Sequence, residues 1–85
     1  MASYKLRFRK SATKDLRPIP NHDVARILKR IEALAEKPRP AGCEKLSALE
    51  RFRVRQGVYR IIYEIQDKEL VVLVVKVGHR KNVYQ

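Results

Sequence analysis

The 85-residue sequence predicts an α+β fold in which two helices pack on one twisted, mostly antiparallel four-stranded sheet. Segments that alternate apolar and polar residues, or that are rich in β-branched residues, predict the strands. One segment repeats apolar residues at three- and four-residue spacing, which predicts an amphipathic helix. The elements follow in the order β-α-α-β-β-β, and the length fits a single domain over residues 1–85.

The chain begins with a predicted strand and a short helix. Apolar and basic residues alternate through Tyr4–Arg9, which is the period of a half-buried strand. Ser11 is a residue type that caps helices, so a short helix is predicted over Ala12–Arg17. Pro18 and Pro20 end that helix, because proline lacks the backbone N–H that a continuing helix needs.

A longer helix is predicted over His22–Lys37, with Asn21 as its N-terminal cap. Pro38 ends it and opens a loop predicted to run to Leu49. The predicted apolar stripe of this helix, which would face the core, consists of Val24, Ile27, Leu28, Ile31 and Leu34.

A hairpin organises the second half of the chain. Apolar residues alternate with arginines before a predicted two-residue turn at Gln56-Gly57. With that turn, Arg55 pairs with Val58 and Arg53 lies opposite Arg60. The three arginines then share one face of the sheet. Because like charges across neighbouring strands destabilise a hairpin, this placement indicates a site for an anion.

A second hairpin is predicted to follow, from strands over Val58–Ile65 and Glu69–Val77 that meet at Asp67-Lys68. The run Leu70–Val75 is apolar at nearly every position, which is typical of a central strand covered on both faces. Gly78 is expected to end this strand, and the residues from 79 to 85 are expected to form a short tail.

The charge of the protein is strongly unbalanced. Lys and Arg number 20 against 9 Asp and Glu, for a net charge of +11. Such a charge favours polyanionic partners, and an acidic protein is equally consistent with it. Acidic residues are expected to gather at the Asp67 turn, while the opposite end of the sheet gathers Arg53, Arg55, Arg60, Lys76, Arg80 and Lys81.

Several function classes have no support. A single cysteine, Cys43, cannot form an internal disulfide or a metal site, and it fits a reducing cytosol. The sequence contains no Gly-rich phosphate loop, CxxC pair or HExxH motif, so no metal or cofactor is expected. No segment has the pattern of a signal peptide or a membrane span, so we expect a soluble cytoplasmic protein.

Arginines, one histidine and tyrosines remain at the basic end of the sheet. These residue types suit metal-independent cleavage of RNA, in which a ribose 2′-OH attacks its own 3′ phosphate. That reaction needs cations around the phosphorane-like transition state, a base for the 2′ proton and an acid for the leaving 5′ oxygen.

Three segments resemble the RelE/ParE superfamily of bacterial and archaeal toxins: Phe52–Ile65, Val71–Arg80 and the terminal Val83-Tyr84. The resemblance extends over almost the whole chain and implies the fold predicted above. The superfamily contains RelE-like endonucleases, which cleave mRNA in the ribosomal A site, and ParE-like inhibitors of DNA gyrase, which have no nuclease activity. The RelE-like branch is the first hypothesis and the ParE-like branch is the alternative.

Carried over residue by residue, the resemblance implies a site formed by Arg53, Arg55, Arg60, Arg80 and Tyr84. Arg53 and Arg55 stand where the archetype of the family has lysines. Because arginine does not lose a proton at neutral pH, these two residues are expected to hold phosphate, and the base must lie elsewhere. His79, the residue type that titrates near neutrality, is one candidate and Tyr84 is the other.

The partners implied by the resemblance are mRNA, the ribosome and a cognate RelB-like antitoxin. We expect an acidic or amphipathic antitoxin segment to cover the helices and the basic face of the sheet. A third hypothesis is a basic nucleic-acid-binding module without toxicity, but no aromatic stacking platform is interleaved with the charges.

Overall fold

The computed structural model describes residues 3–46 and 50–79. It confirms an α+β fold of helices packed on one sheet. The elements in chain order are β1 (Lys5–Phe8), α1 (Lys10–Leu16), α2 (Asn21–Glu36), β2 (Glu44–Leu46), β3 (Arg51–Gln56), β4 (Tyr59–Gln66) and β5 (Val71–His79).

The sheet has five strands in the order β1-β5-β4-β3-β2, so the prediction of four was wrong. The additional strand is β2, which lies inside the predicted loop and pairs antiparallel with β3. It has only three residues and no β-branched side chain, so it carries no strand signal. β1 runs parallel to β5 and the remaining neighbours are antiparallel, which confirms a mostly antiparallel sheet.

The core lies between the helices and one face of the sheet. Ile27, Ile31 and Leu34 of α2 are fully buried, and the other two residues of the predicted stripe are half-buried. Burial of each such side chain contributes about 1.5–3 kcal/mol. The sheet meets them with Phe52, Val54, Ile61, Tyr63, Ile65, Val72, Val74 and Val77.

Both predicted helix caps were wrong. α1 begins at Lys10, and the Ser11 hydroxyl instead donates to the carbonyl oxygen of Val75 at 2.8 Å. α2 begins at Asn21 itself, after Pro20 in an extended conformation. The Pro20 carbonyl oxygen accepts the first hydrogen bonds of that helix. No side chain caps it, because proline has no side-chain acceptor.

The first hairpin turns one residue later than predicted. Gln56 pairs with Tyr59, and the two-residue loop is Gly57-Val58. Gly57 has a φ of +61°, the conformation that the first residue of a type II′ turn requires and that glycine adopts without strain. Arg55 therefore lies opposite Arg60, not Val58. The pairing shifts by two residues, so every side chain keeps its predicted face.

The second hairpin confirms the predicted turn at Asp67-Lys68, which lies within the turn that joins β4 to β5. β5 lies between β1 and β4, as predicted for a central strand, although Leu70 is outside it and exposed. Gly78 does not end the strand. It pairs with Arg60, because the antiparallel ladder of β4 continues to the start of that strand, and β5 ends at His79.

Candidate functional site

Three arginines stand together on the face of the sheet that does not carry the helices, which we call the open face. Phe52 and Val54 of β3 are buried against the helices, so alternation directs the residues between and beside them to the open face. Arg53 lies opposite Ile62, and Arg55 lies directly opposite Arg60. We call Arg53, Arg55 and Arg60 the arginine row. The prediction that they share one face is confirmed.

Ile62 is a buried apolar residue beside the row. It is only 6% exposed, although it lies on the open face and outside the main core cluster. In the ladder it lies opposite Arg53 on β3 and opposite Lys76 on β5. Gly78, opposite Arg60 on β5, adds no side chain to the row.

The row is electrostatically unfavourable for folding. Arg55 and Arg60 face each other across the ladder, where like charges destabilise a strand pair. Within residues 3–46 and 50–79, no carboxylate forms an ion pair with Arg55. An arrangement of this kind attracts anions, and arginine forks match the oxygens of phosphate.

Arg53 has a carboxylate partner that the sequence did not indicate. Glu44 of β2 is its neighbour in the ladder, and Arg53 donates from Nε to Glu44 Oε1 at 3.1 Å and from its terminal nitrogen to the same oxygen. This hydrogen bonding lowers the pKa of Glu44, and the charges of Arg55 and Arg60 lower it further. Glu44 therefore lies at the basic end of the sheet, although acidic residues were expected to gather at the Asp67 turn.

Little in the sequence indicates the position of Glu44, because β2 contains no residue type typical of strands. The one available clue is the alternation of Glu44 and Leu46 around Lys45, which is too short to distinguish a strand from a loop. Only the pairing of β2 with β3 brings this carboxylate to the arginine row.

His79 lies on the other side of the sheet from the arginine row. It pairs with Tyr59, whose ring it meets edge-on with centroids 6.0 Å apart. The Tyr59 hydroxyl donates to Asp23 of α2 at 3.3 Å, so this pair faces the helices. Burial raises the pKa of Tyr59, and Asp23 raises it further. The structure therefore does not place His79 among the arginines, although the preceding residue, Gly78, pairs with Arg60 in the ladder.

A half-open cavity of about 400 Å³ lies beside His79 on the helix side. Its walls come from α1, from the segment after it, and from the ends of β4 and β5. The residues that line it include Lys14, Asp15, Ile19, Tyr59, Val77 and His79. The cavity and the arginine row thus lie on opposite faces of the same end of the sheet.

Asp15 fixes the strand end that carries His79. Its Oδ2 accepts a hydrogen bond from the backbone N–H of Val77 at 3.0 Å and lies 3.6 Å from Nζ of Lys76. Lys76, which we expected at the basic pole, is thereby drawn towards α1. Together with the Ser11 bond to Val75, this contact supports β5 at the register shift between Ile62 and Tyr63.

The remaining predicted site residues, Arg80 and Tyr84, lie outside the described residues. Tyr63 belongs to the core, and Tyr59 packs against it. His22 lies in the first turn of α2, as predicted. Cys43 carries a free thiol and is half-buried against the core.

No helix in the described part of the chain has the length and apolar character needed to cross a membrane. No group of three or more histidine, cysteine or acidic side chains within residues 3–46 and 50–79 is placed to hold a metal ion.

The fold and the cationic open face define a small α+β protein of the kind found among bacterial and archaeal toxins. The sequence profile of the ParE toxin of type II toxin–antitoxin systems, parDE, matches residues 6–84. Toxin RelG of Mycobacterium tuberculosis is 30% identical over 84 residues, which cover 96% of this chain and 97% of RelG.

Solved structures agree. A chain in the crystal structure of the toxin–antitoxin complex RelBE2 from Mycobacterium tuberculosis is 28% identical, with a TM-score of 0.82 over 93% of this chain and 100% of that one. The intact E. coli RelBE complex gives a TM-score of 0.81 at 24% identity, over 91% and 96% of the two chains, and so supports the fold alone. The chain therefore belongs to the ParE toxin family of type II toxin–antitoxin systems, within the RelE/ParE superfamily, and has a RelE-like fold.

Proposed function

We propose that this toxin is an endoribonuclease that cleaves mRNA in the ribosomal A site and thereby inhibits translation. The observation that carries the proposal is the arginine row, in which Arg55 lies directly opposite Arg60 on the open face. A pair of like charges at this position costs stability, and an anionic ligand such as RNA phosphate offsets that cost.

The proposed chemistry is an internal transesterification. The ribose 2′ oxygen attacks the adjacent phosphorus, the bond to the 5′ oxygen breaks, and the products are a 2′,3′-cyclic phosphate and a free 5′-OH. The arginine row would hold the non-bridging oxygens and stabilise the extra negative charge of the transition state. Because the nucleophile belongs to the substrate and the arginines supply the positive charge, this route requires no metal.

The base and the acid are proposed among His79, Arg80 and Tyr84. Arg80 would add a cation beside the leaving group, while His79 and Tyr84 are the groups able to exchange protons. His79 stands at the end of β5 on the helix side, so it can act only on RNA that bends around the end of the sheet. If His79 is the base, His79→Ala should lower the cleavage rate by about 100-fold or more.

We also propose a cognate RelB-like antitoxin as the inhibitory partner. The structures that this chain resembles include the RelBE2 and RelBE toxin–antitoxin complexes. With a net charge of +11, the toxin offers strong attraction to an acidic segment. A complex in which the arginine row stayed accessible to solvent would contradict inhibition by direct blocking of the site. The other proposed partners are mRNA and the ribosome. Since both are found in the cytoplasm, we propose that the toxin acts there.

Primer extension on mRNA bound to programmed ribosomes tests the proposal. The toxin should produce site-specific cuts, and Arg60→Ala should lower the cleavage rate by about 100-fold or more, as loss of one donor to a transition-state oxyanion does. The same mRNA without ribosomes shows whether the ribosome is obligatory. Absence of cuts in both conditions would overturn the nuclease proposal.

A second candidate function is inhibition of DNA gyrase, which the match of residues 6–84 to the ParE toxin profile favours. Such a toxin binds its target and performs no RNA chemistry, so its toxicity should survive Arg60→Ala. A gyrase supercoiling assay separates the two. Inhibition of supercoiling without RNA cleavage would establish this candidate in place of the first.

A further inference from the structure

The contact between Glu44 and Arg53 has features of an exchangeable ion pair. Both nitrogen contacts of Arg53 go to one carboxylate oxygen, Oε1, so the guanidinium is not held by a two-oxygen fork. The Glu44 side chain is 57% exposed and projects from the three-residue edge strand β2. Arg53 is more enclosed, at 21%. Exposed ion pairs of this kind contribute little to stability and are easily opened.

Glu44 also interacts with the whole arginine row. Its lowered pKa, caused first by Arg53 and then by Arg55 and Arg60, keeps it ionised at neutral pH. In the free protein, therefore, Arg53 already has a carboxylate bound to it. Arg55 and Arg60 face each other across the ladder.

We propose that Glu44 is an affinity- and specificity-determining residue of the arginine row, because its carboxylate takes the place of a phosphate on Arg53 and RNA must displace it. The inference rests on the proposed function, since it assumes that RNA phosphate binds the row.

Displacement by RNA is physically favourable. A phosphate offers two oxygens to the guanidinium fork where Glu44 uses one. An anion that reaches Arg53 alone gains little, because it replaces one negative charge by another. A chain of phosphates that reaches Arg53, Arg55 and Arg60 together gains two further cations. Glu44 thus weakens generic anion binding and favours a phosphodiester chain that follows the row.

The test measures equilibrium binding of the full chain to a single-stranded 2′-O-methyl RNA, which lacks the 2′ nucleophile and cannot be cut. Glu44→Gln should tighten binding by about 3–10-fold at low salt, because RNA no longer has to displace a carboxylate from Arg53. The matched control is Glu50→Gln. Glu50 is also 57% exposed and ion-paired, but with Lys45 and Arg39 away from the row, and its loss should change affinity by less than about 2-fold.

A double-mutant cycle with Arg53 separates displacement of Glu44 from a general effect of its negative charge. In an Arg53→Gln background, Glu44→Gln should no longer tighten binding, because the contact that RNA must break is already gone. Persistence of the gain in that background, or equal gains from Glu44→Gln and Glu50→Gln, would overturn the inference while RNA binding itself stands. Failure of the unsubstituted toxin to bind RNA would overturn the proposed function, and the inference with it.

Discussion

The two ends of the β3–β4 ladder use the same residue type for opposite purposes. At one end, Arg51 lies opposite Glu64 and donates from Nε to its carboxylate at 2.8 Å. At the other end, four residues along the same strand, Arg55 lies opposite Arg60. Both arginines point to the open face, and the spacing and backbone are alike. The difference lies in the residue across the ladder.

The ion-paired end continues into the turn after β4. Arg39 binds Asp67 through two hydrogen bonds, at 2.9 and 3.4 Å, and the Tyr4 hydroxyl donates to the same carboxylate at 2.8 Å. Cations at this end have carboxylate partners supplied by the fold. We conclude that the arginines of the ion-paired end serve stability, whereas the cross-strand pair of Arg55 and Arg60 costs stability, because like charges face each other there.

Reversing one charge should convert the arginine row into a second ion-paired end. Arg55→Glu places a carboxylate opposite Arg60, as Glu64 stands opposite Arg51. Unfolding free energy should rise by about 0.5 kcal/mol from the new cross-strand pair. Cleavage should fall by about 100-fold or more, since the site loses a cation and gains an anion. Thermal denaturation and primer extension measure the two effects. A variant that is less stable than the unsubstituted protein, or as active, would contradict the comparison.

Removing the corresponding arginine at the ion-paired end should do the reverse. Arg51→Gln breaks a partly buried hydrogen-bonded ion pair, for which we expect a loss of about 1 kcal/mol of unfolding free energy. For a domain of this size that corresponds to a melting temperature lower by about 4–8 °C. Cleavage by the folded variant should stay within about 2-fold of the unsubstituted toxin. A large loss of cleavage at full folding would show that Arg51 belongs to the site.

The smallest expected effect concerns the thermal stability of the protein at low pH. Hydrogen bonds from Arg39 and then Tyr4 lower the pKa of Asp67 below its ordinary 3.8. The stabilisation is therefore complete above pH 3.8 and is lost as the pH falls through the lowered pKa. Asp67→Asn should melt below the unsubstituted protein at pH 7, and the difference should shrink as the pH falls below 3.8. A difference that is constant with pH would contradict this assignment.

The sequence predicted the open face correctly even though it predicted the wrong register. Placing the loop at Gln56-Gly57 shifted the pairing by two residues, and side chains alternate with a period of two, so the arginines kept their common face. The position of the loop depends on the place of Gly57 within it. Gly57 occupies the first loop position, where the backbone is left-handed. The sequence allowed either placement.

The parts of the site that could not be predicted depend on contacts between distant segments. Glu44 reaches the arginine row only through a three-residue strand whose residues have no strand propensity. The Ser11 hydroxyl donates to the carbonyl oxygen of Val75, which is 64 residues away in the sequence. The sequence predicts His79 at the basic end of the sheet, in a tail after Gly78. Since β5 continues to His79, alternation directs that ring to Tyr59 and the helices.

The central claim is best tested by paired measurements on three single substitutions, Arg51→Ala, Arg55→Ala and Arg60→Ala. Single-turnover cleavage of ribosome-bound mRNA and melting temperature would be measured on each. We predict that Arg55→Ala and Arg60→Ala lose cleavage by about 100-fold, and that Arg55→Ala melts no lower than the unsubstituted toxin, while Arg51→Ala cleaves normally and melts lower. Equal losses of cleavage along the strand, or losses that follow melting temperature, would contradict the division between the two ends.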